Sequence, residues 1–337
     1  MLLLRRRGAE EYREGLVRLR VIVTGCGGFI GSALLVQLGR KPAQDVVGVS
    51  RTRPACVVGC TRWLPRSLLT QSNTSFGFVG GGVVVHAAER AHVLHEIGTD
   101  PLAEFRRANV EETLEIADHG ARVGVHRFIF LSSVKVNGET ASESRPFAAD
   151  NETIPLGPYG VSKREAEQGL RELSLRSGME VTIIRPPLVY GPDVQGNFLS
   201  LMRWLRRGVP LPLGAIHNLR SLVAIDNLVD LIATCVYHPA AANQTFLVSD
   251  GEDLSITELL RSLGAALGES PKLVPVPLRL LMVAAAVVGK GNVAQRLCGS
   301  LCVDISDTRQ LLGWSPPVSV DEGLRKTAEA FLREAHL

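Results

Sequence analysis

Tyr159 and Lys163 stand four residues apart in the stretch PYGVSKREAE, which reads as the opening of a helix with Pro158 at its first position. Residues i and i+4 share a helix face, so a phenol and an ammonium can project into one pocket. Upstream lies FIFLSSVKVNGE, in which Phe128 to Leu131 are all apolar and read as a buried strand ending at Ser132-Ser133. A serine at a strand's carboxyl end and a tyrosine–lysine pair on the next helix make a proton-transfer apparatus. A free phenol, with a pKa of about 10, is a poor base near neutrality. A neighbouring cation favours the phenolate, and a serine hydroxyl can steady a developing alkoxide. The Y-x-x-x-K spacing is common by chance; its place after such a strand gives it meaning.

A second chemical signal sits near the start. The apolar run Leu19 to Thr24 enters GCGGFIG, where Gly25, Gly28 and Gly31 recur every third residue before an apolar helix from Ser32 to Leu38. Glycines at a strand-to-helix turn let the backbone fold tightly and approach a pyrophosphate, whose charge then rests on the helix N-terminus. The next strand, Asp45 to Val49, ends in SRTRP. A site for NAD would place a carboxylate there for the ribose hydroxyls. Arg51 instead suits the extra phosphate of NADP, or is an ordinary surface arginine. VVVHAAER reads as a further strand ending at His86-Ala87-Ala88, whose small residues let a cofactor lie close. His86 reads equally as a satisfied core histidine. A long helix is expected over 101–124, with Asn109 at its middle bridging backbone groups if its face is buried.

These elements alternate strand and helix, the pattern of an α/β fold with a Rossmann-type doubly wound parallel sheet. A sixth strand is expected at Val181 to Arg185, running into PPLVYGP, where the prolines force irregular backbone. Beyond Pro192 the pattern shifts to short helices and isolated strands, with Asp226 as a helix N-cap, no core signature of its own, and a last helix opening at Val320. The organisation expected is an extension over 1–18, a nucleotide-binding domain over 19–190 and a smaller α/β substrate-binding region over 191–337. No third strand is legible in 54–82. Leu278 to Val288 reads as a buried core helix in preference to a membrane contact, and is too short to span a bilayer. A net charge of +3 in 337 residues leaves no nucleic-acid footprint. Six scattered cysteines lack metal-ligand spacing, so no metal is expected and reduced thiols in the cytoplasm are.

Six ordered motifs carry a resemblance: Thr24 to Gly31, His86 to Ala88, Ser132 to Gly138, Pro158 to Lys163, R-P-P-L-V-Y-G-P from Arg185, and L-G-W-x-P from Leu312. Over about 19–332 the chain resembles the extended short-chain dehydrogenase/reductase family. It is most similar to the nucleotide-sugar epimerase/dehydratase/reductase branch typified by UDP-galactose 4-epimerase. The resemblance implies Tyr159 as acid/base, Lys163 as holder of the nicotinamide ribose that also lowers the phenol's pKa, and Ser133 on the reacting sugar oxygen. It implies cofactor contacts from Gly25, Gly28, Phe29, Ile30, Gly31, Arg51, His86, Ala87, Ala88, Asn109, Ser132, Tyr159, Lys163 and Pro186. Substrate contacts are implied for Ser133, Asn137, Asn197 and Arg220. A homodimer through the two long helices is implied as well.

The phrases SSVKVNGE, NQTFLVSDGEDLS, RLCGSL and PPVSVDEGLR are similar to reductases of O-antigen pathways. The expected activity is therefore reduction of a UDP-4-keto-6-deoxy-N-acetylhexosamine with NADP(H), NAD(H) being possible. The alternative is a UDP-hexose 4-epimerase that keeps NAD bound, and the remote one a non-catalytic NADP sensor. Val134-Lys135 after Ser133 departs from the dehydratases. Asn137 stands where the epimerases commonly carry tyrosine, and Glu89 after H-A-A is atypical.

Overall fold

The computed structural model describes residues 19–40, 45–54, 61–68, 81–89, 100–142, 144–151, 153–287, 289, 291 and 298–334. The expected extension over 1–18 lies outside them. Seven strands form one parallel sheet in the order β3-β2-β1-β4-β5-β6-β9. They are β1 (Arg20–Thr24), β2 (Asp45–Ser50), β3 (Thr61–Pro65), β4 (Gly82–His86), β5 (Arg127–Leu131), β6 (Glu180–Arg185) and β9 (Thr245–Leu247). The order reverses between β1 and β4, the switch point at which doubly wound sheets open a crevice beyond their carboxyl ends. β4 and β5 are buried along their whole length, which accounts for their continuous apolar runs. β3, invisible in the sequence, is a short TRWLP edge strand whose alternation is too brief to stand out.

Helices cover both faces. On one side α1 (Phe29–Gly39) and α6 (Ile225–Tyr237) bury Leu34, Leu35, Leu38, Leu228, Leu231 and Ile232 against the sheet. The other side carries α2 (Pro101–Arg106), α3 (Glu112–Arg122) and α4 (Pro158–Ser177), which bury Ile116, Ala166, Leu170 and Leu173. α2 and α3 are joined through a single π-helical turn, Arg107–Glu111, with Asn109 buried inside it. The expected continuous helix is thus interrupted where its central asparagine turns inward.

The C-terminal part is less simple than its sequence suggests. β9 returns to complete the main sheet, while β7 (Leu188–Tyr190), β8 (Arg220–Ala224) and β10 (Asp253–Leu254) form a second, three-stranded sheet. Contrary to expectation this lobe has its own apolar core. Phe198, Met202 and Leu205 of α5 (Gly196–Arg206) meet Leu259, Leu260 and Leu263 of α7 (Ile256–Ala266) and Leu324 of α10 (Val320–Glu334). Each segment supplies only a few residues, so no single stretch carries the signature. α9 (Ser306–Leu312) seats Leu312 in the main core. Asp226 is not the N-cap of α6. That position belongs to Ala224, and Asp226 pairs with Lys326 at 2.7 Å from inside the first turn.

α7 opens with a reciprocal cap: Ser255 Oγ accepts from Glu258 N at 3.1 Å, and Glu258 Oε2 accepts from Ser255 N at 2.8 Å. These bonds hold the Glu258 carboxyl below its ordinary range, the backbone bond from Ser255 first. Ser255→Ala is expected to cost about 1 kcal/mol, read as a lower urea midpoint at unchanged m. Because the folded-state pKa is depressed, the carboxylate's share is present above the ordinary glutamate pKa. It fades as pH falls through the lowered value.

Leu278 to Val288 departs most from expectation. Residues 278–287 form α8, and none of its described residues is buried.

Candidate active site

The glycine turn comes first. Gly25 takes φ +72°, and a Cβ there would lie 2.5 Å from Ala88 N, so the β1 turn closes directly on the residues following β4. Gly31 sits on the Gly25 carbonyl, where a Cβ would come within 2.2 Å. Gly28 donates to Gly25 O at 2.9 Å and caps α1 without a side chain, and the first turn of α1 holds no acidic residue. The first turn of α1 thus opens on glycine backbone with no carboxylate in it, an arrangement that fits a pyrophosphate. Phe29 and Ile30 flank it, partly buried against the core. At the end of β2, Ser50 accepts from Trp63 Nε1 at 3.0 Å, and Arg51 is exposed.

Across the switch point β5 delivers Ser133 and α4 delivers Tyr159 and Lys163. Gly160 makes their approach possible, because a Cβ there would lie 2.7 Å from Lys135 O in the turn that follows Ser133. Ser133 caps that turn, accepting from Lys135 N at 3.3 Å. Lys163 is 1 % exposed; its Nζ donates to Leu131 O at 2.8 Å and lies 4.7 Å from the Phe130 ring centroid. Phe105 of α2 packs edge-on to Tyr159 at 5.8 Å. The three expected chemical residues are brought together.

A fourth joins them. Glu89 Oε2 accepts from the Tyr159 hydroxyl at 2.9 Å and pairs with Lys163 Nζ at 2.8 Å, bridging phenol and ammonium. This reverses the expected electrostatics. Burial first, then the Glu89 charge and its hydrogen bond, raise the Tyr159 pKa well above the ordinary phenol range; a bond with Ser133 pulls the other way. The Lys163 ammonium is paired with this same carboxylate. Glu89 was visible in the sequence only as a departure; its partner Tyr159 is 70 positions away.

Several expected contacts resolve differently. The His86 ring is a core group: Nδ1 meets Thr24 Oγ1 at 2.8 Å, Nε2 meets Thr113 Oγ1 at 3.1 Å, and it stacks beside Phe128 and Phe130. Burial, then the Lys163 and Arg66 charges, push its pKa down to about 3, so it stays neutral. Ala87 and Ala88 lie against the glycine turn. Asn109 Nδ2 donates to Ser162 Oγ at 3.2 Å, tying the π turn to α4 beside Lys163.

The Ser132 and Asn137 side chains belong to a buried network that sequence reading missed. Arg185 grips Glu167 through two bonds of 2.9 and 2.6 Å, Ser132 Oγ donates to Glu167 Oε1 at 2.6 Å, and Arg185 also donates to Asn137 Oδ1 at 3.1 Å. Asn137 Nδ2 donates to Ala148 O at 2.9 Å, and the residue is 0 % exposed, so its side chain anchors the 137–151 loop rather than meeting substrate. Pro186 is buried, its carbonyl accepting from Val134 N at 3.0 Å. Asn197 is exposed on the first turn of α5. Arg220 is half-buried at the start of β8, donating to Gly299 O at 3.0 Å, and burial lowers its pKa. Among the described residues no group of His, Cys, Asp and Glu is placed to hold a metal ion.

The model of the NAD dependent epimerase/dehydratase family matches residues 21–249. A UDP-glucose 4-epimerase of Vibrio cholerae is 44% identical over 322 residues, 93% of this chain and 95% of the relative. An N-acetyl-alpha-D-glucosaminyl-diphospho-ditrans,octacis-undecaprenol 4-epimerase of Escherichia coli O157:H7 is 26% identical, covering 73% of this chain and 76% of its own. The UDP-glucuronic acid 4-epimerase of Bacillus cereus, solved with NAD, superposes with a TM-score of 0.75 at 21% identity. It covers 94% of this chain and 99% of its own, and so shares the fold. A glycine cradle under the sheet's switch point, the Ser133–Tyr159–Lys163 cluster beside it and these likenesses converge: the chain belongs to the NAD-dependent epimerase/dehydratase family.

Proposed function

We propose that the protein is a 4-epimerase of UDP-hexoses that uses a bound NAD. The observation that carries this reading is the 44% identity to a UDP-glucose 4-epimerase across nearly the whole of both chains. The cradle of Gly25, Gly28 and Gly31 would hold the pyrophosphate, with Ala87 and Ala88 beside it. A nicotinamide held beside this cradle would supply reversible hydride transfer at C4 of the sugar. The chain's own work is proton handling. Tyr159, as phenolate, takes the proton of the C4 hydroxyl and gives it back to the ketone oxygen. Ser133 donates a hydrogen bond to that oxygen, and the Lys163 ammonium favours the phenolate once Glu89 is no longer bound to it. Arg220, a half-buried cation in the C-terminal lobe, suits the diphosphate. A homodimer through the helical stretch from α2 to α3 and through α4, at work in the cytoplasm where UDP-sugars are made, completes the proposal.

A second reading keeps two observations in its favour. Glu89 stabilises the protonated phenol, the form that donates a proton when a C4 ketone is reduced. The end of β2 and the residue after it offer Ser50 and an exposed Arg51 where a carboxylate would suit NAD. Both fit an NADPH-dependent C4 reductase of a UDP-4-keto-6-deoxy-N-acetylhexosamine.

One pair of assays separates the readings. Purified protein is incubated with UDP-glucose without added cofactor, and UDP-galactose is followed by chromatography. Separately, NADPH absorbance is followed with the 4-keto sugar. Interconversion without net cofactor use is expected. Stoichiometric NADPH consumption without interconversion would replace the epimerase by the reductase.

A further inference from the structure

We propose that α8 and the adjoining end of α5 form a docking face for an anionic phospholipid surface. α8 lies on the C-terminal lobe rather than in it. Leu281 rests against the lobe core, while Leu278, Leu280, Val283 and Val287 are 43, 62, 63 and 83 % exposed. The apolar surface continues past the helix. Val274 is 46 % exposed just before it, and Trp204 and Val209, at the end of α5, are 45 and 42 % exposed. Backbone bonds bring the end of α5 beside residues 272–274, which lead into α8. Val209 N donates to Trp204 O at 3.4 Å, Leu211 N to Lys272 O at 2.9 Å, and Val274 N to Leu211 O at 2.8 Å. A contiguous exposed apolar area flanked by polar groups marks an interaction site.

Charge says what covers it. Arg203, Arg207, Lys272 and Arg279 are all exposed around the apolar residues. Lys272 Nζ lies 3.8 Å from where a Cβ on Gly208 would stand, which places it at the end of α5 among the arginines. The described stretches that build this side, 196–209 and 271–287, hold Arg203, Arg206, Arg207, Lys272 and Arg279 and no acidic residue. A second copy of the chain would bring like charge against like charge. An anionic bilayer meets both halves of the pattern: leucine, valine and tryptophan enter the headgroup boundary, and the arginines and lysines pair with lipid phosphates around them. The contact is peripheral. Among the described residues no helix is long and apolar enough to cross a membrane.

The test uses the full chain and vesicles of phosphatidylcholine alone or with phosphatidylglycerol, read by flotation. Binding is expected to the anionic vesicles only, and to weaken as salt rises from 50 to about 300 mM through screening. Leu280→Glu with Val283→Glu should abolish it. Lys272→Glu with Arg279→Glu should lower partitioning about tenfold or more. Both double variants should keep the parent far-UV circular dichroism and sugar turnover, since neither pair belongs to the catalytic cluster. Absence of flotation with anionic vesicles would overturn the proposal, as would flotation that both double variants retain. Concentration-dependent self-association lost in Leu280→Glu/Val283→Glu, without vesicle binding, would reassign the face to a second copy and overturn it too.

Discussion

Replacing Tyr159 by phenylalanine is expected to lower kcat for the C4 reaction by about 10²- to 10⁴-fold, the range contributed by a positioned acid/base. The ring and its edge contact with Phe105 at 5.8 Å survive the change, so folding and substrate affinity should move little. Only the hydroxyl that meets Glu89 and Ser133 is lost. Measured kcat and KM, beside the unfolding midpoint of the same sample, separate a chemical effect from a structural one. A variant that keeps a tenth or more of the parent kcat would remove Tyr159 from the chemistry and reopen the choice of acid/base.

Glu89 makes the same prediction sharper. Its carboxylate stabilises the protonated phenol and occupies Lys163 Nζ. Glu89→Ala removes the negative charge beside Tyr159, so the phenol's pKa should fall. Activity that needs the phenolate rises with pH through that pKa, and its acidic limb should therefore move to lower pH in the alanine variant. In Tyr159→Phe the limb should vanish. An unmoved limb in Glu89→Ala would mean that the carboxylate leaves the phenol whenever the site is at work.

The chemistry in this chain was legible wherever it was local. Tyr159 and Lys163 share one helix face. Gly25, Gly28 and Gly31 share one turn, and Ser133 follows an apolar strand, so periodicity alone puts each in place. What escaped depends on partners far apart in the chain. Glu89 stands 70 residues before Tyr159, and Glu167 stands 18 before Arg185, on the far side of a strand start. Asn137 read as a pocket residue because nothing local shows that Arg185 and Ala148 claim both ends of its amide. α8 failed in the opposite sense. An apolar run reads as buried, but burial is a property of what packs against it, and only Leu281 finds the lobe core.

Glu167→Ala is expected to destabilise the protein by about 3–5 kcal/mol, because it strands a buried guanidinium. Arg185 is 6 % exposed and spends two of its bonds on Glu167, which is itself 2 % exposed. The remaining contacts, Asn137 Oδ1 and Ala149 O, are neutral acceptors and leave the charge without a counterion. Ser132 Oγ loses its acceptor in the same step. Removing both charges together, as Glu167→Leu with Arg185→Met, should recover most of the loss, since an apolar pair of similar volume avoids the cost of burying an ion. Urea unfolding of parent, single and double variants forms the cycle, and a single-variant cost below about 1 kcal/mol would show that water reaches Arg185. The network also ties Ser132, next to Ser133, to Glu167 on the helix that carries Lys163. The single variant should therefore lose kcat beyond what its unfolded fraction explains, and the apolar double variant should restore stability more fully than rate. Equal recovery of both would confine the network to holding the fold.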